Sequence, residues 1–154
     1  MENTTTKVSE IEISYTPQYL AFNKPKITSS MDIYEILKEL FDASALTIKE
    51  ECIALFLNRN NRIIGSYKVS SGGITSTVVD IRLILSIALK SLSCGLIIAH
   101  THPSGNLKPS KADIELTHNL REAAKLMEIK LLDHLIISVD GYYSFADEGN
   151  LMFV

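Results

Sequence analysis

The strongest constraint on the fold lies between positions 99 and 113, where two closely spaced histidines precede a turn and the start of a helix. The turn region reads Ala-His-Thr-His-Pro-Ser-Gly from residue 99 to residue 105. Alternate residues of an extended chain project to the same side, so His100 and His102 can face one point. Pro103 favours extended dihedrals at the residue before it. The pattern therefore predicts a strand that ends in a two-histidine site.

A carboxylate can reach the same point from the helix that follows. Ser110 is a good helix N-cap, and Asp113 falls on the first turn, three residues later. Two histidines and one carboxylate, with a fourth position left for water, are the ligands of a catalytic rather than a structural zinc ion. A lone His-x-His pair is more often a surface or core feature. The added turn, cap and aspartate favour Zn²⁺ bound by His100, His102 and Asp113.

These residues resemble the JAMM motif of the JAB/MPN metalloprotease superfamily, which reads here His100-x-His102-Pro103-Ser104-Gly105 and then Pro109-Ser110-x-x-Asp113. Within that superfamily the chain is most similar to the bacterial RadC family, whose pattern also includes the segments here at Leu132–Ile137 and Gly141–Phe145. The resemblance runs from about Lys49 to the C-terminus. RadC-like proteins usually carry an N-terminal helix-hairpin-helix region, and we expect this short form to lack it.

The resemblance also implies a catalytic glutamate at the start of an upstream strand. Glu50 and Glu51 both precede an apolar run, and register against RadC-like sequences favours Glu50. Adjacent residues of a strand point to opposite faces, so only one can face the metal, and Glu51 remains the alternative. By the same resemblance Ser110 hydrogen-bonds the developing oxyanion, although its hydroxyl is also explained as an N-cap.

The implied reaction is zinc-dependent hydrolysis of an amide, either a peptide or an isopeptide bond. Zinc would lower the pKa of its water, and Glu50 would carry the proton to the leaving amine. The expected partner is therefore a protein or peptide substrate. One alternative is a non-proteolytic factor in DNA repair or mobile-element transactions, with a DNA-associated partner and a basic groove leading to the zinc. Another is an interaction module without activity, which the intact motif disfavours.

Composition sets wider limits on the function. The length of 154 residues and a hydrophobic content of 46% suit one core. A net charge of −3 disfavours broad electrostatic binding to nucleic acid. Cys52 and Cys94 lie in apolar segments and are predicted to be reduced core residues. The start of the chain resembles neither a signal peptide nor a membrane anchor, so we expect a cytoplasmic location and no membrane partner.

Residue periodicity predicts an α/β fold, with a mixed β-sheet flanked by helices. We divide the chain into an N-terminal strand and helix extension, 1–48, packed on a RadC-like domain, 49–154. The predicted elements are a strand at 11–15, a helix starting at Asp32, a hairpin of 52–57 and 63–69, a flexible connection at 70–73, a helix from Asp80 to 92, a buried strand at 96–99, a helix at 111–127 and a hairpin of 135–139 and 142–145. By resemblance this is the JAB/MPN α/β sandwich related to cytidine deaminases.

Two further histidines compete with the proposed ligands. His134 precedes an apolar strand, and we favour a structural hydrogen bond that orients a metal ligand over direct coordination by its ring. His118 lies more than one helical turn beyond Asp113 and is expected to be exposed.

Overall fold

The computed structural model describes residues 9, 12, 14–18, 23–72 and 78–151. The helices and strands in that part are α1 (Ser30–Leu40), α2 (Ala43–Thr47), β1 (Glu51–Leu57), β2 (Ile63–Ser71), α3 (Ile81–Lys90), β3 (Gly95–Thr101), α4 (Lys111–Leu126), β4 (Lys130–Ser138) and β5 (Gly141–Ser144). Within these ranges, no helix is long and apolar enough to cross a lipid bilayer.

The five strands form one sheet in the order β2-β1-β3-β4-β5. The β3–β4 pair is parallel and the other pairs are antiparallel, so the sheet is mixed, as predicted. Every residue of β1 and β3 is buried. Strands covered on both faces read as continuous apolar runs, which is why these two were recognisable in the sequence.

Helices cover both faces of the sheet, and alternate residues of β1 show this directly. Ile53 and Leu55 belong to an apolar cluster that includes Leu37 of α1. Ala54 and Phe56 belong to a second cluster, which includes residues of α3 and α4. Since successive strand residues project to opposite faces, the sheet separates two cores. The mixed α/β fold with flanking helices is thus confirmed.

Several local predictions need correction. The N-cap of α1 is Ser29, and Asp32 is the third residue of the helix, so the helix starts two residues before the predicted Asp32. The short helix α2 was missed, since five residues give no readable helical period. Strand β2 continues to Ser71, into the segment predicted as a flexible connection. The helix predicted to reach residue 92 ends at Lys90, and Leu92 is exposed.

Further differences concern single residues. Cys52 is buried, but Cys94 is exposed and so is not a core residue. His134 lies inside β4 rather than before it. Ile11 and Ile13 of the predicted first strand lie outside the described residues.

The topology brings the three motif segments to one end of the sheet. Cys52 pairs with His100 across the antiparallel β1–β3 ladder, so the start of β1 adjoins the end of β3. Helix α4 begins nine residues after His102, across the Pro-Ser-Gly turn. The residues that precede β1, end β3 and begin α4 can therefore meet.

Candidate metal centre

The three predicted metal ligands converge at the end of β3. His100 Nε2 lies 2.9 Å from His102 Nε2 and 3.1 Å from Asp113 Oδ1. His102 Nε2 lies 3.6 Å from Asp113 Oδ2. Ligands of a tetrahedral zinc ion at the usual bond lengths are about 3.3 Å apart, and the observed separations bracket that value. Among the described residues, these three form the cluster able to bind a metal.

The donor chemistry of His102 fits a cation as well. Its Nδ1 lies 2.6 Å from the carbonyl oxygen of Asn106. A carbonyl oxygen can only accept, so Nδ1 carries the hydrogen and the neutral ring has its lone pair on Nε2. That lone pair faces the second imidazole and the carboxylate, an arrangement that a divalent cation would stabilise.

Without a cation, the same groups share protons. Burial raises the pKa of Asp113, but the interactions with His100 and His102, chiefly hydrogen bonds, outweigh burial and hold that pKa well below its usual value. The pKa of His102 is raised, chiefly by the Asp113 carboxylate. Asp113 is therefore ionised, as a metal ligand must be.

A capping box fixes Asp113 in place. The Ser110 backbone N–H donates to Asp113 Oδ2 at 2.7 Å, and the Asp113 backbone N–H donates to Ser110 Oγ at 3.1 Å. The pair satisfies two N–H groups at the start of α4. In this arrangement the Ser110 oxygen is an acceptor, which leaves the hydroxyl hydrogen available to donate into the cleft that the side chain lines.

Glu50 and Glu51 lie in different environments. Glu50 is half-buried and lines the same cleft as the two histidines and Asp113. The Glu51 side chain is fully buried, with Lys49 Nζ 3.1 Å from its Oε1 and Lys68 Nζ 3.2 Å from its Oε2. Burial raises the pKa of Glu51, but its hydrogen bonds, first from Lys49 and then from Lys68, give a net lowering. The structure thus brings Glu50 to the cleft and pairs Glu51 with lysines.

Thr101, the residue between the two histidines, fixes the backbone on both sides of Glu50. Its Oγ1 accepts from the Glu51 N–H at 3.0 Å and donates to the Lys49 carbonyl at 3.2 Å. The Glu50 carbonyl in turn accepts from the Gly72 N–H at 2.9 Å. Sequence reasoning missed this role, although strand alternation places Thr101 on the face opposite the histidines.

The cleft beside the three ligands has a volume of about 280 Å³. Half-buried Val79 and Leu116 give it an apolar wall. Asn106 and Lys108 give it a polar side. The cleft next to the three ligands therefore combines apolar and polar groups, as ligand-binding clefts commonly do.

The other two histidines, His134 and His118, lie outside the cluster of three. His134 is fully buried, and its Nε2 lies 2.8 Å from His100 Nδ1, the ring nitrogen that faces away from the cluster. Burial lowers the pKa of His134 well below its usual value, so the ring is neutral. His118 is exposed on α4.

Comparison with known families gives an independent finding. A family model described as "RadC-like JAB domain" matches residues 27–150, a match that begins earlier than the motifs alone indicated. The chain is 44% identical to a UPF0758 protein of Flavobacterium johnsoniae over 124 residues, which cover 80% of this chain and 53% of the relative. It is 47% identical to a UPF0758 protein of Porphyromonas gingivalis over 104 residues, which cover 67% and 46%.

A third relative, a UPF0758 protein of Streptococcus sanguinis, is 38% identical over 106 residues, covering 68% of this chain and 47% of the relative. The chain therefore spans about half the length of the curated relatives it matches.

Proposed function

This chain belongs to the RadC-like JAB domain family, and on that premise we propose that it is a zinc-dependent hydrolase of amide bonds in peptides or isopeptides. One observation carries the proposal: the donor atoms of His100, His102 and Asp113 converge beside the cleft that Glu50 lines. A structural zinc site would have four protein ligands, whereas three leave a position for solvent or substrate.

Zinc bound by these three residues would supply Lewis acidity and would activate a water molecule. The work of the protein then falls to the residues around it. The Glu50 carboxylate would accept a proton from the attacking water and deliver it to the leaving amine nitrogen, so one group acts first as base and then as acid. Its half-buried position at the cleft is compatible with both steps.

Ser110 would stabilise the transition state with its hydroxyl group. Its oxygen accepts the Asp113 N–H, so its hydroxyl hydrogen can donate to the oxygen of the scissile carbonyl as negative charge develops there. A single donor of this kind is worth about 3 kcal/mol in other hydrolases. Cap and oxyanion donor are thus compatible roles for one hydroxyl.

The residues that line the cleft support a peptide more than a nucleic acid. Among the described lining residues, Lys108 is the one lysine or arginine, while Glu50 and Asp113 are acidic. The DNA-related alternative requires a basic groove that leads to the metal, and these lining residues do not form one. Because the curated relatives are about twice as long, the substrate and partners of the whole relatives remain outside the proposal.

Zinc content and peptide cleavage, measured on the same variants, test the proposal. Wild type should bind one zinc ion and cleave members of a peptide library. Glu50→Gln should retain the zinc and lose cleavage, because the amide cannot take the proton. His100→Ala should lose both.

Glu51→Gln is the matched control, since it makes the same change one residue along but on a side chain that faces the lysines. It should retain zinc and cleavage. Loss of zinc in Glu50→Gln would contradict the role given to Glu50, and wild-type protein that binds no zinc would refute the proposal as a whole.

A further inference from the structure

We infer that Thr117 is a positioning residue which acts through His134 to fix the ring proton of His100 on Nδ1, leaving Nε2 free to bind a metal. The inference rests on the proposed function, because His100 is its metal ligand. Thr117 lies on α4 and His134 on β4, so two elements outside the turn at residues 102–110 would control the chemistry of the site.

The hydrogen bonds that link Thr117, His134 and His100 have one end whose direction is chemically fixed. Thr117 Oγ1 lies 2.6 Å from the backbone carbonyl oxygen of Asp113. A carbonyl oxygen has no hydrogen, and a threonine hydroxyl has one, so that hydrogen must point to Asp113. Toward any other neighbour, the Thr117 oxygen can only accept.

His134 is that neighbour, with its Nδ1 2.6 Å from Thr117 Oγ1. Since the threonine oxygen accepts, His134 Nδ1 carries the hydrogen. A neutral imidazole has one ring N–H, so His134 Nε2 has a lone pair. The ring is fully buried, and burial disfavours a second ring hydrogen and the charge that it brings.

His100 is the last member of the chain. Its Nδ1 lies 2.8 Å from His134 Nε2, and because His134 Nε2 accepts, His100 Nδ1 must donate. With that hydrogen on Nδ1, the His100 ring can offer its Nε2 lone pair to a metal, and Nε2 is the atom that faces His102 and Asp113. The direction of each bond follows from the preceding one, starting at a single carbonyl oxygen.

Burial limits how the hydrogen bonds from Thr117 through His134 to His100 can rearrange. Thr117 and His134 are fully buried, and the His134 ring stacks on Phe145 with centroids 4.8 Å apart and planes at 4°. A ring held in this way cannot exchange a lost protein partner for bulk water. If the threonine hydroxyl is removed, the His134 Nδ1–H is left without its acceptor, at the cost of burying an unpaired donor.

Moving the His134 proton to Nε2 removes this unpaired donor and reverses the existing bond, so that His134 Nε2 donates to His100 Nδ1. His100 would then carry its own proton on Nε2, where the metal must bind. Zinc binding would have to reverse that arrangement, so its affinity should fall. Partners behind a metal-bound histidine change metal affinity by about 10–100-fold when they are mutated.

The alternative is that Thr117 only stabilises the helix. A threonine hydroxyl often bonds to the carbonyl four residues earlier on its own helix, and the bond to Asp113 has that spacing. A purely helical role predicts a change in folding stability with no change in the His100 tautomer or in zinc affinity. The two roles therefore differ in what can be measured.

The first experiment records ring-nitrogen ¹⁵N NMR spectra of the zinc-free full chain, for wild type, Thr117→Val and Thr117→Ser. Valine matches threonine in shape but lacks the hydroxyl, whereas serine retains it. Wild type and Thr117→Ser should show protonated Nδ1 on both His134 and His100. Thr117→Val should show the His134 proton moved to Nε2. A wild-type His100 ring whose Nδ1 carries no proton overturns the inference, and that result requires no variant to fold.

The second experiment measures zinc affinity by chelator competition at one fixed pH. Thr117→Val should bind zinc at least about tenfold more weakly than wild type, and Thr117→Ser should restore the affinity. His118→Gln, an exposed change one residue along α4, is the control and should have no effect. Equal affinities for the valine and serine variants refute the inference. If wild type binds no zinc, the proposed function fails, while the spectra of the zinc-free protein still decide the tautomers.

Discussion

Thr101→Val tests whether the residue between the two histidines fixes the position of Glu50. The change removes a hydroxyl that makes two hydrogen bonds and keeps the side-chain volume, so it creates no cavity. Thr101 is fully buried in β3. The Glu51 N–H, which now donates to its oxygen, would be left buried and unpaired.

The expected size of the effect follows from these contacts. A buried donor that loses its acceptor costs about 1–3 kcal/mol. The Lys49 carbonyl also loses a donor, but Lys49 is half-buried and solvent can replace part of that bond. We expect the free energy of unfolding to fall by about 2 kcal/mol. With a urea m-value of about 2 kcal/mol/M, the midpoint should move down by about 1 M.

Urea unfolding followed by far-ultraviolet circular dichroism, in the presence of a chelator, measures this change without any contribution from zinc. Thr101→Ser is the control, because it keeps both hydrogen bonds and loses only a methyl group, at a cost of about 1 kcal/mol. Zinc content should be unchanged in both variants. Peptide cleavage should fall in the valine variant alone, since the backbone around Glu50 is released. A valine variant as stable as wild type, with full cleavage, would refute the role given to Thr101.

Three further predictions concern pH, charge and packing. Because the pKa of His102 is raised in the metal-free protein, zinc must displace a proton once the pH falls below that pKa. Zinc affinity measured by chelator competition should then drop about tenfold per pH unit. A zinc affinity that does not change with pH would contradict the role of His102 as a ligand. The lowered pKa of Glu51 means that its carboxylate stabilises the fold above the unfolded-state pKa of about 4.3. Glu51→Gln should therefore be less stable than wild type at pH 7, and the difference in urea midpoint should shrink at pH 4; a difference independent of pH would show that the charge is not responsible. Leu55→Ala removes a fully buried side chain from β1, and the free energy of unfolding measured in urea should fall by about 2–5 kcal/mol. Because Leu55 lies in the core around α1, the zinc stoichiometry of the folded variant should stay the same.

Local signals explain why the convergence of His100, His102 and Asp113 could be predicted. His100 and His102 share a side because they alternate along one strand, and Asp113 is fixed by a capping box that spans three residues. Such interactions connect near neighbours in the chain, so the residue order contains them. The hairpin of β1 and β2 was predictable for the same reason. The helix α2 was not predictable, because five residues are too few to show a helical periodicity.

Exposure at the ends of helices was predicted less well. Leu92 and Cys94 follow α3 in an apolar stretch, yet both are exposed. Hydrophobicity indicates that a residue can be buried, but a neighbouring element must also cover it. That depends on how the chain packs around the end of the sheet.

By itself, the sequence determined that His100, His102 and Asp113 could converge, the turn between them and the alternation that separates Glu50 from Glu51. Only the tertiary structure decided which glutamate lies at the cleft, because a shift of one residue in strand register exchanges the two faces. The same holds for Thr101, which contacts residues about fifty positions earlier, and for the chain from Thr117 through His134 to His100. These contacts join distant segments, and their geometry exists only once the sheet and α4 have packed together.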